Sequence, residues 1–577
     1  MSIEIFRPTE QQARVIAYEG SAFISACPGA GKTRVLVERA RRLLADRVKG
    51  KGVAFLSFTT AAISELETRL QREGLIEAPS FPHFIGTFDA FLWQYLIAPF
   101  GGTPGCSVRP RLIPDKKDWL VQPFAGAQAL PLSCFDRATG DSIERSVARL
   151  GFKGQIAAYE TIARTVRARF LKRGELDFDD AREISLVRLR DQTSSAILSR
   201  ALAARFRELV VDEAQDCNPL DLEIIAWLRD AGIPVKVICD PNQAIYGFRG
   251  SVTDELADFA QGFQESARLA LTGNFRSSAH ISRAVAAFRV RGVSGGIDDA
   301  IGEYKDETVA VQVLSYSGKS VPNVVGARFR ELTTSMGFDA RQCPVLAATR
   351  RTGANALGYP ADSGVRNLSY RLAMAVSNYH FSFELGGRKE ALENLHKILL
   401  ELEGRAVGKT YHQYIAELGL TPGAWRPHVL QVAEALRFDP VRFATADAWL
   451  AYARQLLAPC LPADSEQTIS QRLRRNEDLA NALINAPRTG HAAHTIHSVK
   501  GMEFPAVCVV LSPATAKSIM DSLVDQMGAA DNEEVRKIYV GVSRAQRLLV
   551  IATPKSQARR LVSLLQSTGA EVSVENL

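Results

Sequence analysis

A glycine-rich segment near the start of the chain constrains its fold more than any other feature. The apolar run at residues 22–26 leads through "CPGAGKT", residues 27–33, into a segment with the apolar periodicity of a helix. Such a turn lets backbone N–H groups surround phosphate oxygens at the positive end of the helix dipole. Lys32 adds a point charge, and the Thr33 hydroxyl can hold Mg²⁺. The segment therefore predicts a nucleoside-triphosphate site, with Ala26 where the common pattern has glycine.

An acidic pair after another apolar run supplies the chemistry that such a site needs. In "LVVDEAQD", residues 209–216, Asp212 is predicted to hold Mg²⁺ and Glu213 to orient or deprotonate an attacking water. Taken alone, the pair could also be two solvated acids that follow a strand. The lysine of the glycine-rich loop favours an ATP-hydrolysing site, because phosphoryl transfer needs both parts.

Composition excludes several protein classes. With 577 residues, of which 46% are hydrophobic and 23% charged, the chain can form about three or four globular domains. No apolar stretch reaches the roughly 18–20 residues that span a bilayer, and the N-terminus has no targeting pattern, so we predict a cytoplasmic protein without membrane contact. The eight cysteines form no Cys-x-x-Cys pair, which indicates reduced core thiols. A net charge of +7 permits nucleic-acid binding without demonstrating it.

Short apolar runs without alternation recur along the chain. They begin at Val53, Leu209, Val235, Val311, Cys343, Val507 and Leu548. Such runs are typical of strands that are buried on both faces of a parallel sheet. Because helix-length amphipathic segments lie between them, the sequence predicts an α/β fold with two sets of strands. Residues 93–175 and 379–487 break the pattern, and we predict that both are insertions.

A series of motifs makes the α/β prediction specific. "DEAQD", "CDPNQAIYGFRGS", "LTGNFRSS", "TIHSVKGMEF" and "EEVRKIYVGVSRA" resemble, in this order, the motifs of the UvrD/Rep/PcrA-like superfamily 1A DNA helicases. The resemblance implies two RecA-like P-loop motor domains with parallel sheets, each carrying a mostly helical insertion. By analogy, the first motor domain comprises 1–92 and 176–270 with insertion 93–175, and the second comprises 271–378 and 488–577 with insertion 379–487.

The resemblance also implies that ATP is contacted by both motor domains. The family's adenine-recognising glutamine corresponds to Gln12, with Gln11 as the alternative. The further ATP contacts implied are Phe275 stacking on adenine, Glu503 near the ribose, Gln243 sensing the γ-phosphate, and Arg276 and Arg544 reaching that phosphate from the second motor domain. The implied phosphate loop is Ala26, Cys27, Pro28, Gly29, Ala30, Gly31, Lys32, Thr33 and Arg34. The implied catalytic residues are Lys32, Asp212, Glu213, Gln243, Arg276 and Arg544, with Thr33 and Asp212 as Mg²⁺ ligands.

Other family positions imply a track for single-stranded DNA. They are Phe58, Thr59, Gly86, Thr87, Tyr246, Phe248, Arg249 and His497. Aromatic rings that stack on bases contribute about 1–3 kcal/mol each and are indifferent to base sequence. Packing in the core is the alternative for Phe58 and Phe248. The family commonly has Lys, His and Trp at the positions of Ala61, Asp89 and Phe248. These departures predict weaker binding to DNA by the first motor domain.

The sequence argues against a metal site at the histidines of "HAAHTIH", residues 491–497. Their spacing of three on a strand-like segment scatters the rings, and no nearby cysteine or acid completes a tetrahedral set. The arginine-rich run at residues 164–173 could line a nucleic-acid path or form a solvated helix face.

Taken together, the motifs predict an ATP-dependent single-stranded DNA translocase and DNA helicase with 3′→5′ polarity. Its cofactors would be ATP and Mg²⁺, and its partners single-stranded DNA and duplex junctions. The alternative is a DNA-activated ATPase that serves as a sensor or partner subunit and unwinds little alone. The loop "ACPGAGKT" is similar to that of helicases encoded beside OLD-type nucleases, as in Gabija-type antiphage systems. A P-loop protein that does not act on nucleic acid is the third class considered.

Overall fold

The computed structural model describes residues 6–45, 50–77, 80–102, 107–113, 119–124, 126–137, 139–152, 154–245, 253–289, 296–358, 367–385, 388–404, 415, 422–462, 467–476, 479–484, 491–524 and 533–577. Within these ranges it contains two six-stranded sheets and two further regions with apolar cores of their own. The predicted α/β fold class is confirmed.

The first sheet is built from the N-terminal half of the chain. This half begins with α1 (Glu10–Ala17), β1 (Ala22–Ala26), α2 (Lys32–Ala45), β2 (Gly52–Ser57), α3 (Thr60–Arg72), β3 (Phe84–Thr87) and α4 (Phe88–Phe91). It continues with β4 (Arg111–Leu112), β5 (Leu120–Val121), β6 (Leu130–Pro131), α5 (Glu144–Arg149), α6 (Ala157–Lys172) and β7 (Glu175–Leu176). It ends with α7 (Phe178–Arg190), α8 (Gln192–Arg205), β8 (Phe206–Val211), α9 (Pro219–Asp230), β9 (Val235–Cys239), α10 (Thr253–Gln261) and β10 (Arg268–Leu271).

All neighbouring strands of this sheet are parallel, in the order β10-β1-β9-β8-β2-β3. Strands β2 and β9 are buried along their whole length, as the unbroken apolar runs predict. One face of the sheet packs on α2 and α3, and the other packs on α7, α8 and α9. The carboxyl ends of the central strands therefore meet at one edge, where an α/β fold binds its ligands.

The second sheet is built from the C-terminal half. This half begins with β11 (Gly273–Asn274), α11 (Ala279–Ala287), β12 (Asp299–Ala300), β13 (Val311–Tyr316), α12 (Val324–Ser335), β14 (Val345–Ala347) and α13 (Arg350–Ala356). The helices α14 (Leu368–Leu385), α15 (Arg388–Leu402), α16 (Pro422–Ala435), α17 (Ala446–Leu457), α18 (Ile469–Arg472) and α19 (Leu479–Ile484) follow. It ends with β15 (Ala493–Thr495), β16 (Phe504–Val510), α20 (Ala516–Val524), α21 (Glu533–Val542), β17 (Ala545–Pro554), α22 (Lys555–Ser567) and β18 (Val572–Asn576). Its strand order is β15-β14-β16-β17-β13-β18, again with parallel neighbours.

Two regions with apolar cores of their own lie outside the six-stranded sheets, near the segments that the sequence predicts as insertions. In the first, β5 and β6 form an antiparallel pair beside a core that contains Trp119 and Phe135. The second is helical from α14 to α19, with Trp449 buried in its core. Leu368 packs into this core, and α14 runs through residue 379, where the sequence places the start of the insertion. The domain boundaries stay predictions.

The described residues also bear on the expectations drawn from composition. Seven cysteines are described without a disulfide, and all of them except Cys460 are buried. His491 lies in the core, with Nδ1 2.6 Å from the carbonyl oxygen of Cys343 and Nε2 3.2 Å from the Thr333 hydroxyl. Among these residues, no helix combines the length and apolar character needed to cross a bilayer.

A buried ion network joins α2 to the centre of the first sheet. Arg39 Nε lies 3.0 Å from Glu208 Oε1, and Lys236 Nζ lies 3.6 Å from Glu208 Oε2. All three residues are at most 3% exposed. Burial lowers the pKa of Lys236 to about 8, although Glu208 acts in the opposite direction. Glu208 is therefore the carboxylate that balances two buried cations.

We expect Glu208→Gln to lower the free energy of unfolding by about 3–5 kcal/mol, because it leaves Arg39 and Lys236 without their counter-charge. The measurement is thermal and urea unfolding followed by circular dichroism. Glu65→Gln is the matched control, since Glu65 pairs with Arg69 at an exposed site of α3 worth about 0–1 kcal/mol. Equal effects of the two substitutions would contradict this account of the network.

Candidate ATP site and DNA path

The glycine-rich loop joins the end of β1 to the start of α2, as predicted. Gly29 and Gly31 have φ angles of +74° and +72°, which other residue types adopt only at a cost. A Cβ atom on Gly29 would lie 2.4 Å from Asn274 Oδ1, so this position also has no room for a side chain. Ala26 is buried as the last residue of β1 and pairs with Leu271 of β10, which explains why a methyl group is tolerated there.

The two candidate glutamines at the N-terminus have different surroundings. Gln12 is 2% exposed, and its Nε2 donates to the carbonyl oxygen of Ala30 in the loop at 3.1 Å. Its Oε1 accepts from the backbone N–H of Thr9 in a capping box that starts α1. Gln11 is exposed, and its Oε1 accepts from the backbone N–H of Thr272 at 2.8 Å. Of these two glutamines, Gln12 is therefore the one that contacts the glycine-rich loop.

The acidic pair follows β8 directly. Glu213 has φ +57° and ψ +39°, and it is the one non-glycine residue with positive φ among those described. That left-handed conformation costs about 1–2 kcal/mol for such a residue, and strain of this kind concentrates at functional sites. It directs the carboxylate toward Lys32, whose Nζ lies 2.9 Å from Glu213 Oε1. Gln215 Nε2 donates to the other carboxylate oxygen.

The charges of these groups depend on one another. Burial and the carboxylate of Glu213 raise the pKa of Asp212 to about 6. Burial also acts to raise the pKa of Glu213, but the ammonium groups of Lys32 and Lys500 outweigh it and lower that pKa. Burial acts to lower the pKa of Lys32, yet the carboxylates of Glu213 and Asp212 hold it above its ordinary value. At neutral pH the Lys32–Glu213 pair is therefore charged.

The donor set at this edge fits a hard divalent cation. Thr33 is the second residue of α2, and Asp212 places a half-buried carboxylate after β8. A hydroxyl and a carboxylate are oxygen ligands of the kind that Mg²⁺ prefers, and phosphates supply others in such sites. Phe275 contacts the glycine-rich loop, where its backbone N–H donates to the carbonyl oxygen of Gly29 at 2.9 Å.

Two predicted arginines approach this edge from the second sheet's region. Arg544, at the end of α21, is 2% exposed, and its Nη2 donates to Gln243 Oε1 at 2.9 Å. Burial and the neighbouring Arg276 lower the pKa of Arg544 to about 9. Arg276 Nε lies 2.7 Å from Glu503 Oε2, so these two predicted ATP contacts pair with each other. Gln243 in turn donates to Asp240 Oδ2 at 2.7 Å.

The sequence analysis did not predict the ion pair between Lys500 and Asp216, which joins the two halves of the chain. Lys500 Nζ lies 2.7 and 2.6 Å from the two carboxylate oxygens of Asp216 and 4.0 Å from Glu213 Oε2. Asp216 is 2% exposed. The sequence did indicate that both residues lie in functional motifs, because Lys500 stands between His497 and Glu503 in one motif and Asp216 is the last residue of "DEAQD".

Four residues of the predicted DNA track, Phe58, Thr59, Gly86 and Thr87, lie at the carboxyl ends of β2 and β3. The side chain of Thr59 accepts from the backbone N–H of Ala62 and caps α3, while that of Thr87 accepts from Ala90 and caps α4. Because β2 and β3 are parallel neighbours, both helices begin at the same edge of the sheet. Gly86 lies within β3, and a Cβ atom on it would lie 2.8 Å from the edge of the Phe84 ring, which would have to shift to admit a side chain.

Phe58 and Asp89 each have a partner in the protein. The half-buried ring of Phe58 stacks on Phe88 with centroids 5.3 Å apart. Arg182 Nη2 lies 2.6 Å from Asp89 Oδ1, and Arg182 Nε lies 2.6 Å from Asp221 Oδ1. The departure from the family at Asp89 is thus part of an ion triad that ties α4 to α7 and α9.

The remaining predicted DNA contacts divide into two groups. His497 lies at the junction of the two halves, with Nε2 3.2 Å from the carbonyl oxygen of Ile245. Tyr246, Phe248 and Arg249 lie outside the described residues. The assignment of individual DNA contacts stays a prediction.

Family models match both halves of the chain. The UvrD/REP helicase N-terminal domain matches residues 8–101 and 146–264, and the UvrD-like helicase C-terminal domain matches residues 491–556. The matched segments include the glycine-rich loop, the "DEAQD" acids, Lys500 and Arg544. They omit the helical region from α14 to α19.

Full-length relatives agree with these matches. The ATP-dependent DNA helicase UvrD2 of Mycobacterium bovis is 26% identical over 593 residues, which covers 95% of this chain and 79% of the relative. UvrD2 of Mycobacterium tuberculosis gives the same values. The putative ATP-dependent DNA helicase YjcD of Bacillus subtilis is 24% identical over 412 residues, covering 67% of this chain and 53% of the relative. Since both halves of the chain are matched in chain order and carry the charged motifs, the chain is an ATP-dependent DNA helicase that is similar to the UvrD-like helicases.

Proposed function

We propose that this helicase hydrolyses ATP in the cleft between its two sheets and uses the hydrolysis to move 3′→5′ along single-stranded DNA, unwinding duplex at junctions. The observation that carries the proposal is the contact between Arg544 of the second half and Gln243 of the first. An arginine delivered across a cleft to a phosphate-sensing glutamine is the arrangement expected of an ATP-driven switch.

The side chains divide the chemistry between them. Glu213, kept ionised by Lys32, would orient and deprotonate the attacking water, while Lys32 would contact the β- and γ-phosphates. Arg276 and Arg544 would stabilise charge on the transferred phosphoryl group, an effect worth about 10³–10⁵ in rate in related enzymes. Thr33 and Asp212 would hold Mg²⁺, which when bound neutralises charge on the phosphate oxygens.

The DNA would follow the edge at which α3 and α4 begin. Backbone N–H groups and threonine hydroxyls contact phosphates without reading bases, which suits movement along any sequence. ATP bound by residues of both halves would close the cleft. After hydrolysis this shared ligand would be lost, and the cleft would reopen. Polarity, the preference for junctions and the proposed cytoplasmic location rest on the family resemblance.

Steady-state ATP hydrolysis, with and without single-stranded DNA, is the first test. DNA is expected to stimulate kcat at least about tenfold, because the strand stabilises the closed cleft. Lys32→Ala should abolish hydrolysis in both conditions while leaving the protein folded. Turnover that ignores DNA would contradict the proposal and revive a P-loop enzyme that does not act on nucleic acid.

The cross-cleft ion pair provides a second test. We expect Lys500→Met to lower DNA-stimulated kcat about 2- to 30-fold, since coupling contacts of this kind are worth about 0.5–2 kcal/mol. A double-mutant cycle with Asp216→Asn should show that the two effects are not additive. Lys537→Met is the control, because Lys537 pairs with Glu533 and Glu534 inside α21. Full additivity of the two substitutions would contradict coupling through this pair.

Strand displacement by the purified chain separates the leading proposal from the alternative. Duplexes with a 3′ or a 5′ single-stranded tail are incubated with ATP, and the released strand is measured on native gels. The proposal expects release from the 3′-tailed duplex only. DNA-stimulated ATP turnover without release from either substrate would favour the partner subunit of a nuclease-containing antiphage complex.

A further inference from the structure

Three metal-ligating side chains converge in the helical region, and none of them belongs to the candidate ATP site. Glu403 directly follows α15, His428 lies within α16, and Cys460 ends the short turn that follows α17. One ligand atom from each of the three lies within 4.8 Å of the other two. Because they come from separate elements that are distant in the chain, no spacing rule in the sequence indicates this cluster.

The backbone of all three residues is fixed by the surrounding fold. The α15 helix ends at Leu402, whose carbonyl oxygen accepts from Arg472 Nη1 at 2.8 Å, and Gly404 with φ +69° turns the chain after it. His396 of α15 stacks on Trp425 of α16 with centroids 4.4 Å apart, which joins those two helices beside the cluster. The last residue of α17, Leu457, is fully buried in the same core. The ligands are therefore placed by packed elements and need only side-chain rotation to meet.

The chemistry of the cluster selects the type of ion. A thiolate, an imidazole and a carboxylate are sulfur, nitrogen and oxygen donors, a combination that suits a borderline cation and not Mg²⁺ or Ca²⁺. In a tetrahedral zinc site, donors at ordinary bond lengths are about 3.3–3.7 Å apart, so the separations of up to 4.8 Å need a contraction of at most about 1.5 Å. One carboxylate and one thiolate also balance the two charges of Zn²⁺, and a neutral site is favourable beside an apolar core.

We propose that Glu403, His428 and Cys460 bind one Zn²⁺, with a water molecule as the fourth ligand. Cys460 is the partly exposed cysteine among those described, so the ion can enter from solvent. The metal would join the ends of α15 and α17 to the middle of α16 and so fix the internal geometry of the helical region. Nothing in the ATP-site proposal depends on this ion.

The test uses the full chain, freed of any affinity tag and of metal by chelation and dialysis. It is titrated with Co²⁺ as a spectroscopic probe and with Zn²⁺ in competition with a chromophoric chelator. We expect about one ion per chain, a thiolate-to-cobalt charge-transfer band, and the absorption intensity of a tetrahedral site. Zinc should also raise the midpoint of thermal unfolding, because an ion that binds the native state stabilises it.

Matched variants identify the ligands. Cys460→Ser should abolish the charge-transfer band, and His428→Ala and Glu403→Gln should each weaken zinc binding at least about tenfold. Cys134→Ser, a buried thiol of the first insertion, and Glu401→Gln, a residue of α15 paired with Arg371, should bind as the unmodified chain does. Absence of the charge-transfer band in the unmodified chain, or undiminished binding by the Cys460 and His428 variants, would overturn the proposal. The first of these outcomes needs no variant to fold.

Discussion

The buried acidic residues at the carboxyl edge of the first sheet need cations beside them, and this need draws the two halves of the chain together. Glu213, Asp216 and Asp240 lie close together after β8 and β9, and carboxylates in a buried setting are costly without cations beside them. Lys32 supplies one cation from the same half of the chain, whereas Lys500 crosses from the other half. The two halves of the helicase therefore share a single charged network at the site where ATP is expected.

This sharing gives a physical reason for the coupling between nucleotide and domain contact. The pKa of Arg544, lowered by burial and by Arg276, indicates that its guanidinium is held where an additional anion would be favourable. Glu503 pairs with Arg276 but is half exposed, so a phosphate could exchange with it at little cost. The γ-phosphate of ATP would thus strengthen a junction that is already formed, and its departure would weaken the junction.

The sequence was sufficient to predict the features that depend on a few neighbouring residues. The glycine-rich loop, the acids after β8 and the apolar runs of both sheets follow from short-range spacing, since turn chemistry and strand burial act over a few residues. The pairing of Lys500 with Asp216, and of Asp89 with Arg182, was not predictable, because each joins elements whose approach is set by the packing of whole helices and sheets. For the same reason, nothing local marks Leu368 as part of the helical core, and the boundary at residue 379 stays a prediction.

We propose that nucleotide occupancy controls the contact between the two halves through this network. Energy transfer between dyes at exposed Thr68 on α3 and exposed Arg559 on α22 measures the distance between the halves and tests this proposal. The account predicts that a non-hydrolysable ATP analogue brings the dyes closer and narrows their distance distribution, that ADP does not, and that Lys32→Ala abolishes the change. An identical distribution with and without the analogue, under conditions where its binding is demonstrated, would contradict the account.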